Sequence, residues 1–356
     1  MSDSPPSPEP FRIEPTFSPR IWGSRSLAPL FPEKHDLTEP IGEAWLTGLD
    51  CKIASGPFAE KTLGAAWPEM TAAWRGQDFE GEADFPLLLK FIFPKDKLSI
   101  QVHPDDAYAS VHERAAGSRG KTEMWHIVYA EPGARLLAGL KPGTTKEKFC
   151  SALADHTLEE LFQAHEVRAG DTFFLPAGTP HTIGPDMIVC EVQEYSDLTY
   201  RVYDYGRVDS SGRPRELHIA KALEVINFQS RAEAKVQGKP IIVRGQKIWE
   251  TLVSCSYFEA TRFDTDQPIH LNMPRKPHRS FALWAFMEGE GFVDWSCQPQ
   301  DLARANAGRF SFKAGDCWFI PAAFGRHGFL TSQKTSVLMA APHNPKLDAD
   351  PSGNAG

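Results

Sequence analysis

Residues 170–177 read GDTFFLPA and residues 315–322 read GDCWFIPA, and this pair decides the fold. The match extends backwards, with VRAGD at 167–171 and FKAGD at 312–316. Each copy has a Gly-Asp turn, an apolar strand, and Pro-Ala opening the next loop. Solenoid repeats recur every ~20–50 residues, whereas these copies lie 145 positions apart, so the chain reads as a duplicated domain.

Around the two copies the pattern is that of β structure. Apolar runs fall at 85–93, 98–102, 125–129, 187–192, 281–286 and 337–341. Most are rich in β-branched or aromatic residues and bounded by Pro, Gly or Asp, as strands of a sandwich or jelly roll are. Helices are expected only as insertions. Thr144 with Glu147, and Thr157 with Glu160, fit capping boxes, and Leu158, Leu161 and Phe162 follow on one helical face. Ile219, Leu223 and Ile226 mark a helix joining the halves. The expected fold class is mainly β, a duplicated jelly roll with small helical insertions. The expected divisions are a disordered arm over 1–10, a first domain over 11–215, a linking helix over 216–230, a second domain over 231–345 and a disordered tail over 346–356.

Composition sets the class of protein. The chain has 356 residues, 41% hydrophobic and 24% charged, as an ordinary globular protein has. No apolar run reaches the roughly 20 residues of a membrane span, and MSDSPPSPEP lacks the basic and apolar regions of a signal peptide. The six cysteines are scattered without a C-x-x-C pair, so neither a thiolate zinc site nor a disulfide framework is indicated, which agrees with a reducing cytoplasm. A net charge of −8 argues against a nucleic-acid partner. It leaves room for a small anionic substrate held by a few Lys and Arg residues. A monomer and a homodimer are equally compatible with the sequence.

The chemistry-bearing segments all lie in the first half. In LSIQVHPDD, 98–106, strand alternation puts Ser99, Gln101 and His103 on one face, with Ile100 and Val102 on the other. In GKTEMWHIV, 120–128, Lys121 and Glu123 share a face. In LPAGTPHTI, 175–183, turn residues place His181 at the start of a strand. Any one of these histidines alone is as well explained by a carbonyl partner in the core. Together, two imidazoles, a carboxylate and an amide suit a divalent metal, zinc first, with manganese, iron or cobalt as alternatives. A fourth segment, EVQEYSDLTYRVYDYGR at 191–207, reads alone as a surface hairpin of compensating charges, but it follows His181 by one strand, within reach of the same cleft for Arg201. In the second half Arg326 stands where His181 would be, and no Q-x-H or K-x-E pair is present. That half is expected to keep the fold without a metal, with His270, His278 and His327 as ordinary histidines.

These segments resemble a known family. L-S-I-Q-V-H-P-D, G-K-T-E-M-W, P-A-G-T-P-H and the E-x(9)-R of 191–201, with R-I-W-G-S at 20–24 and I-G-E-A-W at 41–45, are similar to type I mannose-6-phosphate isomerases of the short bacterial kind. The resemblance implies a cupin jelly roll, one zinc ion, and interconversion of mannose 6-phosphate and fructose 6-phosphate through a cis-enediol. By position it implies Gln101, His103, Glu123 and His181 as zinc ligands. It likewise implies Ser99, Lys90 and Lys121 as lining the substrate and phosphate site, and Trp22 its edge. The resemblance implies Arg201 as the group that stabilises the enediol and Glu191 as a proton carrier, with a water at the metal as the alternative carrier. Tyr195 departs from the bacterial pattern, which more often has Asn there. The residues alone also admit a non-catalytic sugar-phosphate-binding cupin, or an iron oxygenase using His103, His181 and Glu123.

Overall fold

The computed structural model describes residues 7–113, 119–208, 212–230, 233–243, 246–265, 270–273, 279–297 and 306–344. The first six residues of the expected arm, the expected tail, His278 and the side chain of His270 lie outside the described residues.

The repeat at 167–177 and 312–322 is reproduced bond for bond in its turns. Gly170 and Gly315 both take a left-handed backbone, at φ 93° and 89°, a region costly for residues with a Cβ. Asp171 Oδ2 accepts from the Arg168 amide at 3.0 Å, and Asp316 Oδ2 accepts from the Lys313 amide at 3.0 Å. The Gly170 amide donates to Ile127 O at 2.8 Å, and the Gly315 amide donates to Phe286 O at 2.8 Å. Each turn thus launches its strand, Thr172–Leu175 or Cys317–Ile320, against the same neighbour in its own half.

Each half packs a large sheet on a small one. The first large sheet has seven strands in the order Lys235–Val236, Thr172–Leu175, Glu123–Ala130, Met187–Glu194, Leu87–Ile92, Ile41–Trp45 and Thr16–Ser24. The second runs Phe11–Ile13, Cys317–Ile320, Ala282–Glu288, Thr335–Pro342, Phe258–Thr265, Gln246–Ser254 and Lys239–Val243. Position by position the two orders correspond, so the expected duplicated jelly roll is present.

The edge strands are exchanged. Phe11–Ile13 pairs with Cys317–Ile320 of the second half, while Lys235–Val236, from beyond the linking helix, pairs with Thr172–Leu175 of the first. The spatial halves therefore differ from a simple division of the chain at these two strands. Each exchanged strand covers an edge that would otherwise expose unpaired amides and carbonyls. Phe11 stacks on Phe319 with ring centroids 4.7 Å apart, and Phe319 stacks on Phe281 at 4.8 Å, in a core shared between the halves.

Among the described residues the small sheets differ by one strand. The first has five, in the order Tyr200–Tyr203, Ile100–Val102, His181–Ile183, Arg135–Leu140 and Phe162–Glu166. The second has four, His270–Met273, Phe324–Thr331, Glu290–Cys297 and Asn306–Lys313. Tyr200–Tyr203, which carries Arg201, has no counterpart among the described residues of the second half.

The helical insertions are shorter than expected. The helix Lys146–Ala154 is capped by Thr145, whose hydroxyl accepts from the Lys148 amide at 3.3 Å. Thr144 does not cap it, because its hydroxyl is spent on Lys141 O at 2.8 Å, in the turn before the helix. The expected box at Thr157 and Glu160 is also absent: Leu158–Leu161 is a single 3-10 turn without a side-chain cap, since Phe162 already enters a strand. The linking helix covers only Ile219–Val225. Among the described residues, no helix is long and apolar enough to cross a membrane.

Candidate metal centre

Two rows of side chains face each other across the first half. On the small sheet, register places Gln101 directly between His181 and Arg201 on adjacent strands. On the large sheet, Trp45, Lys90, Glu191 and Trp125 are successive cross-strand partners. Cross-strand neighbours stand about 4.5–5.5 Å apart, so each row is a fixed ruler of functional groups. Glu123 lies two residues along the strand from Trp125, on the same face.

His103, Glu123 and His181 converge between the rows. All three are buried, and their ligand atoms lie within 4.8 Å of one another. His103 Nδ1 is 2.8 Å from Leu198 O, and His181 Nδ1 is 2.8 Å from Thr179 O. A carbonyl only accepts, so each Nδ1 carries the proton and each Nε2 presents a lone pair. His181 Nε2 then faces Glu123 Oε1 at 3.2 Å, two acceptors with no hydrogen between them, and Oε1 has no hydrogen-bond donor. Such an arrangement is repulsive unless a cation lies between the lone pairs, which is the fit expected of a divalent metal. Gln101 Nε2 lies 3.3 Å from His181 Nε2, and rotation of the terminal amide exchanges its nitrogen for its oxygen. Among the described residues this is the single group of three metal-capable side chains.

Burial sets the charge states. It pushes His181 down to about 3, with the Lys121 ammonium as a second cause, and lowers His103 well below its usual value in the same way. Neutral imidazole is the form that binds metal. Lys121 Nζ lies 2.5 Å from Glu123 Oε2 and 3.1 Å from His103 Nε2. Burial opposes its charge, but Glu123 and Glu191 outweigh that and hold the ammonium protonated, with its pKa raised. Glu191 is raised by burial, with Lys121 and Lys90 pulling the other way.

The expected substrate residues surround the same space. Trp22, Lys90, Ser99, Gln101, Lys121, Glu191 and Arg201 all line one cavity of about 440 Å³. Lys90, buried, lies 3.6 Å from Glu191, 3.6 Å from Asp197 and 3.9 Å from Glu43. Arg201 reaches the cavity, held by a bond from its guanidinium to Glu216 O at 2.9 Å. Asp204 and Arg207, from the same sequence segment, instead pair with each other at 2.6 Å. Of the four expected ligands Gln101 lines this cavity, whereas a larger cleft of about 1250 Å³ is lined by none of them, and its Arg262 is engaged by Glu250 and Asp264. Chemistry, not volume, selects the smaller cavity.

The sequence reading missed three residues. Trp125 donates from Nε1 to Glu191 Oε1 at 2.9 Å, and strand alternation from Glu123 is the signal that points to it. Glu43 accepts from Arg20 at 2.6 Å and from Trp45 Nε1 at 3.0 Å. Burial would raise its pKa, but Lys90 and Arg20 overcome this and lower it. Nothing in a single sequence marks Glu43 or Arg20 as partners 23 positions apart. In the second half His327 is buried against Trp284 and Phe324, as an ordinary core histidine.

Known proteins resemble this chain over most of its length. The family profile of the phosphomannose isomerase type I catalytic domain matches residues 10–128. Mannose-6-phosphate isomerase ManA of Bacillus subtilis is 33% identical over 326 residues, covering 89% of this chain and 94% of that protein. The mannose-6-phosphate isomerase of Streptococcus mutans is 36% identical, covering 84% of this chain and 91% of that one. The crystal structure of the mannose 6-phosphate isomerase from Bacillus subtilis superposes with a TM-score of 0.80 at 28% identity, over 93% of this chain and 99% of that chain. The apo enzyme of Salmonella typhimurium, 16% identical with a TM-score of 0.68, shares the fold. This chain belongs to the type I phosphomannose isomerase family.

Proposed function

We propose that this protein interconverts mannose 6-phosphate and fructose 6-phosphate with a bound zinc ion, through a cis-enediol. The observation that carries the reading is the convergence of His103, Glu123 and His181 beside the cavity that Lys90, Lys121, Glu191 and Arg201 share. Gln101, His103, Glu123 and His181 would hold the metal. When bound, the ion supplies Lewis-acid polarisation of the sugar oxygens.

Aldose–ketose isomerisation moves a proton between C1 and C2, so it needs one group to carry the proton and others to hold charge on two oxygens. Glu191 is the carrier: buried, with Oε1 engaged by Trp125 and Oε2 turned towards Lys90. Its raised pKa brings its affinity for a proton closer to what reversible transfer at neutral pH requires. Arg201 and Lys121 hold the negative charge that develops on the enediolate oxygens. Lys90 and Ser99 fix the phosphate and sugar, and Trp22 closes the cavity edge. Holding the phosphate orients the reacting carbons without taking part in the chemistry.

The reaction run in deuterium oxide tests this mechanism. Solvent deuterium should enter the recovered sugar phosphates at the carbon that exchanges its proton. Conversion that proceeds with no solvent label at all would exclude an enediol open to proton exchange. Binding without conversion would leave a non-catalytic sugar-phosphate protein.

A further inference from the structure

We propose that Trp125 is a positioning residue that ties the proton carrier Glu191 to the metal ligand His181. The proposal rests on the assignment of Glu191 given under the function above. Trp125 is buried, on the strand between those of Glu191 and Thr172–Leu175. Its Nε1 donates to Glu191 Oε1 at 2.9 Å, and its ring meets that of His181 edge to face, with centroids 5.0 Å apart at 88°. One rigid side chain thus touches both working parts of the site.

Several features suit an indole to this place. Its N–H only donates, so it cannot compete for the proton that Glu191 carries. Holding Oε1 leaves Oε2 as the oxygen that faces the substrate, 3.6 Å from Lys90 Nζ. The ring fixes the tilt of His181 by contact, while Thr179 O fixes its tautomer. The indole belongs to one buried cluster with Ile127, Phe173 and Leu175 and borders the cavity that Glu191 and Lys90 line.

A double-mutant cycle on the metal-loaded enzyme decides the matter, comparing wild type, W125F, E191Q and the double variant for kcat, KM and metal content. Phenylalanine keeps an aromatic edge near His181 and removes the N–H. W125F should lower kcat roughly ten- to hundred-fold, as expected for a lost bond to a charged group, with KM and metal content near wild type. In the E191Q background the same change should have little further effect, because Trp125 acts through Glu191. Unchanged kcat in W125F, a loss confined to KM or metal content, or full additivity with E191Q overturns the proposal. Near-normal turnover in E191Q alone overturns the assignment of Glu191, and this proposal with it. If W125F does not fold, benzothienylalanine at position 125 keeps the bicyclic ring and replaces the N–H with sulfur; the same outcomes apply.

Discussion

Glu123 Oε1 and His181 Nε2 face each other at 3.2 Å, two buried acceptors from opposite sheets with no hydrogen to share. A divalent ion resolves that conflict, so the metal should be inseparable from the pair. Glu123→Gln and His181→Ala are each expected to lose bound metal, measured by elemental analysis, and to lower kcat by at least about 100-fold. Full metal content in either variant contradicts the ligand set.

Glu191→Gln keeps shape and hydrogen bonding to Trp125 while removing the ability to carry a proton. We expect kcat to fall by roughly 10²–10⁴ with metal content unchanged, in the range of general acid–base contributions. Turnover close to wild type would assign the proton transfer to another group.

His126 offers a stability test away from the metal. Burial, with the Arg262 guanidinium second, pushes it down to about 3, and it pairs with Thr172 Oγ1 at 2.9 Å. The folded protein thus keeps it neutral while the unfolded chain protonates it near its ordinary value of 6.5. More protons then bind the unfolded state, so stability falls as pH drops below 6.5 and goes on falling towards 3. By pH 4.5 this one group should cost about 2–3 kcal/mol. Urea unfolding of wild type and His126→Asn at pH 7 and pH 4.5 measures it. The variant should lose less stability on acidification; an identical loss refutes the assignment.

Phe11 belongs to the exchanged edge strand and stacks between the halves on Phe319, fully buried. Phe11→Ala should destabilise the protein by about 3–5 kcal/mol, as large-to-small aromatic changes in a core do. Denaturant midpoints measure this, and a loss below about 1 kcal/mol would contradict the role given to the strand.

Much of this architecture was legible because it rests on local rules. The Gly-Asp turns at 170–171 and 315–316 repeat because the same left-handed backbone and the same aspartate bond are needed twice. Strand alternation alone grouped Gln101 with His103, and Lys121 with Glu123. What stayed hidden depends on long-range pairing. Phe11–Ile13 is three residues long, too short to show a pattern, and nothing local tells it to join a strand some 300 positions away. The capping threonine was misplaced by one residue because Thr144 and Thr145 compete for the role, and the turn at Lys141 takes the first. Glu43 was hidden because its partners Arg20 and Lys90 are distant in sequence.

The most direct test of the whole account is a coupled assay of purified protein with mannose 6-phosphate, before and after exhaustive chelation, with metal content measured in the same samples. The account predicts steady formation of fructose 6-phosphate, its loss as the metal is removed, and its return when zinc is restored. Undiminished isomerisation by protein shown to be free of metal would contradict it.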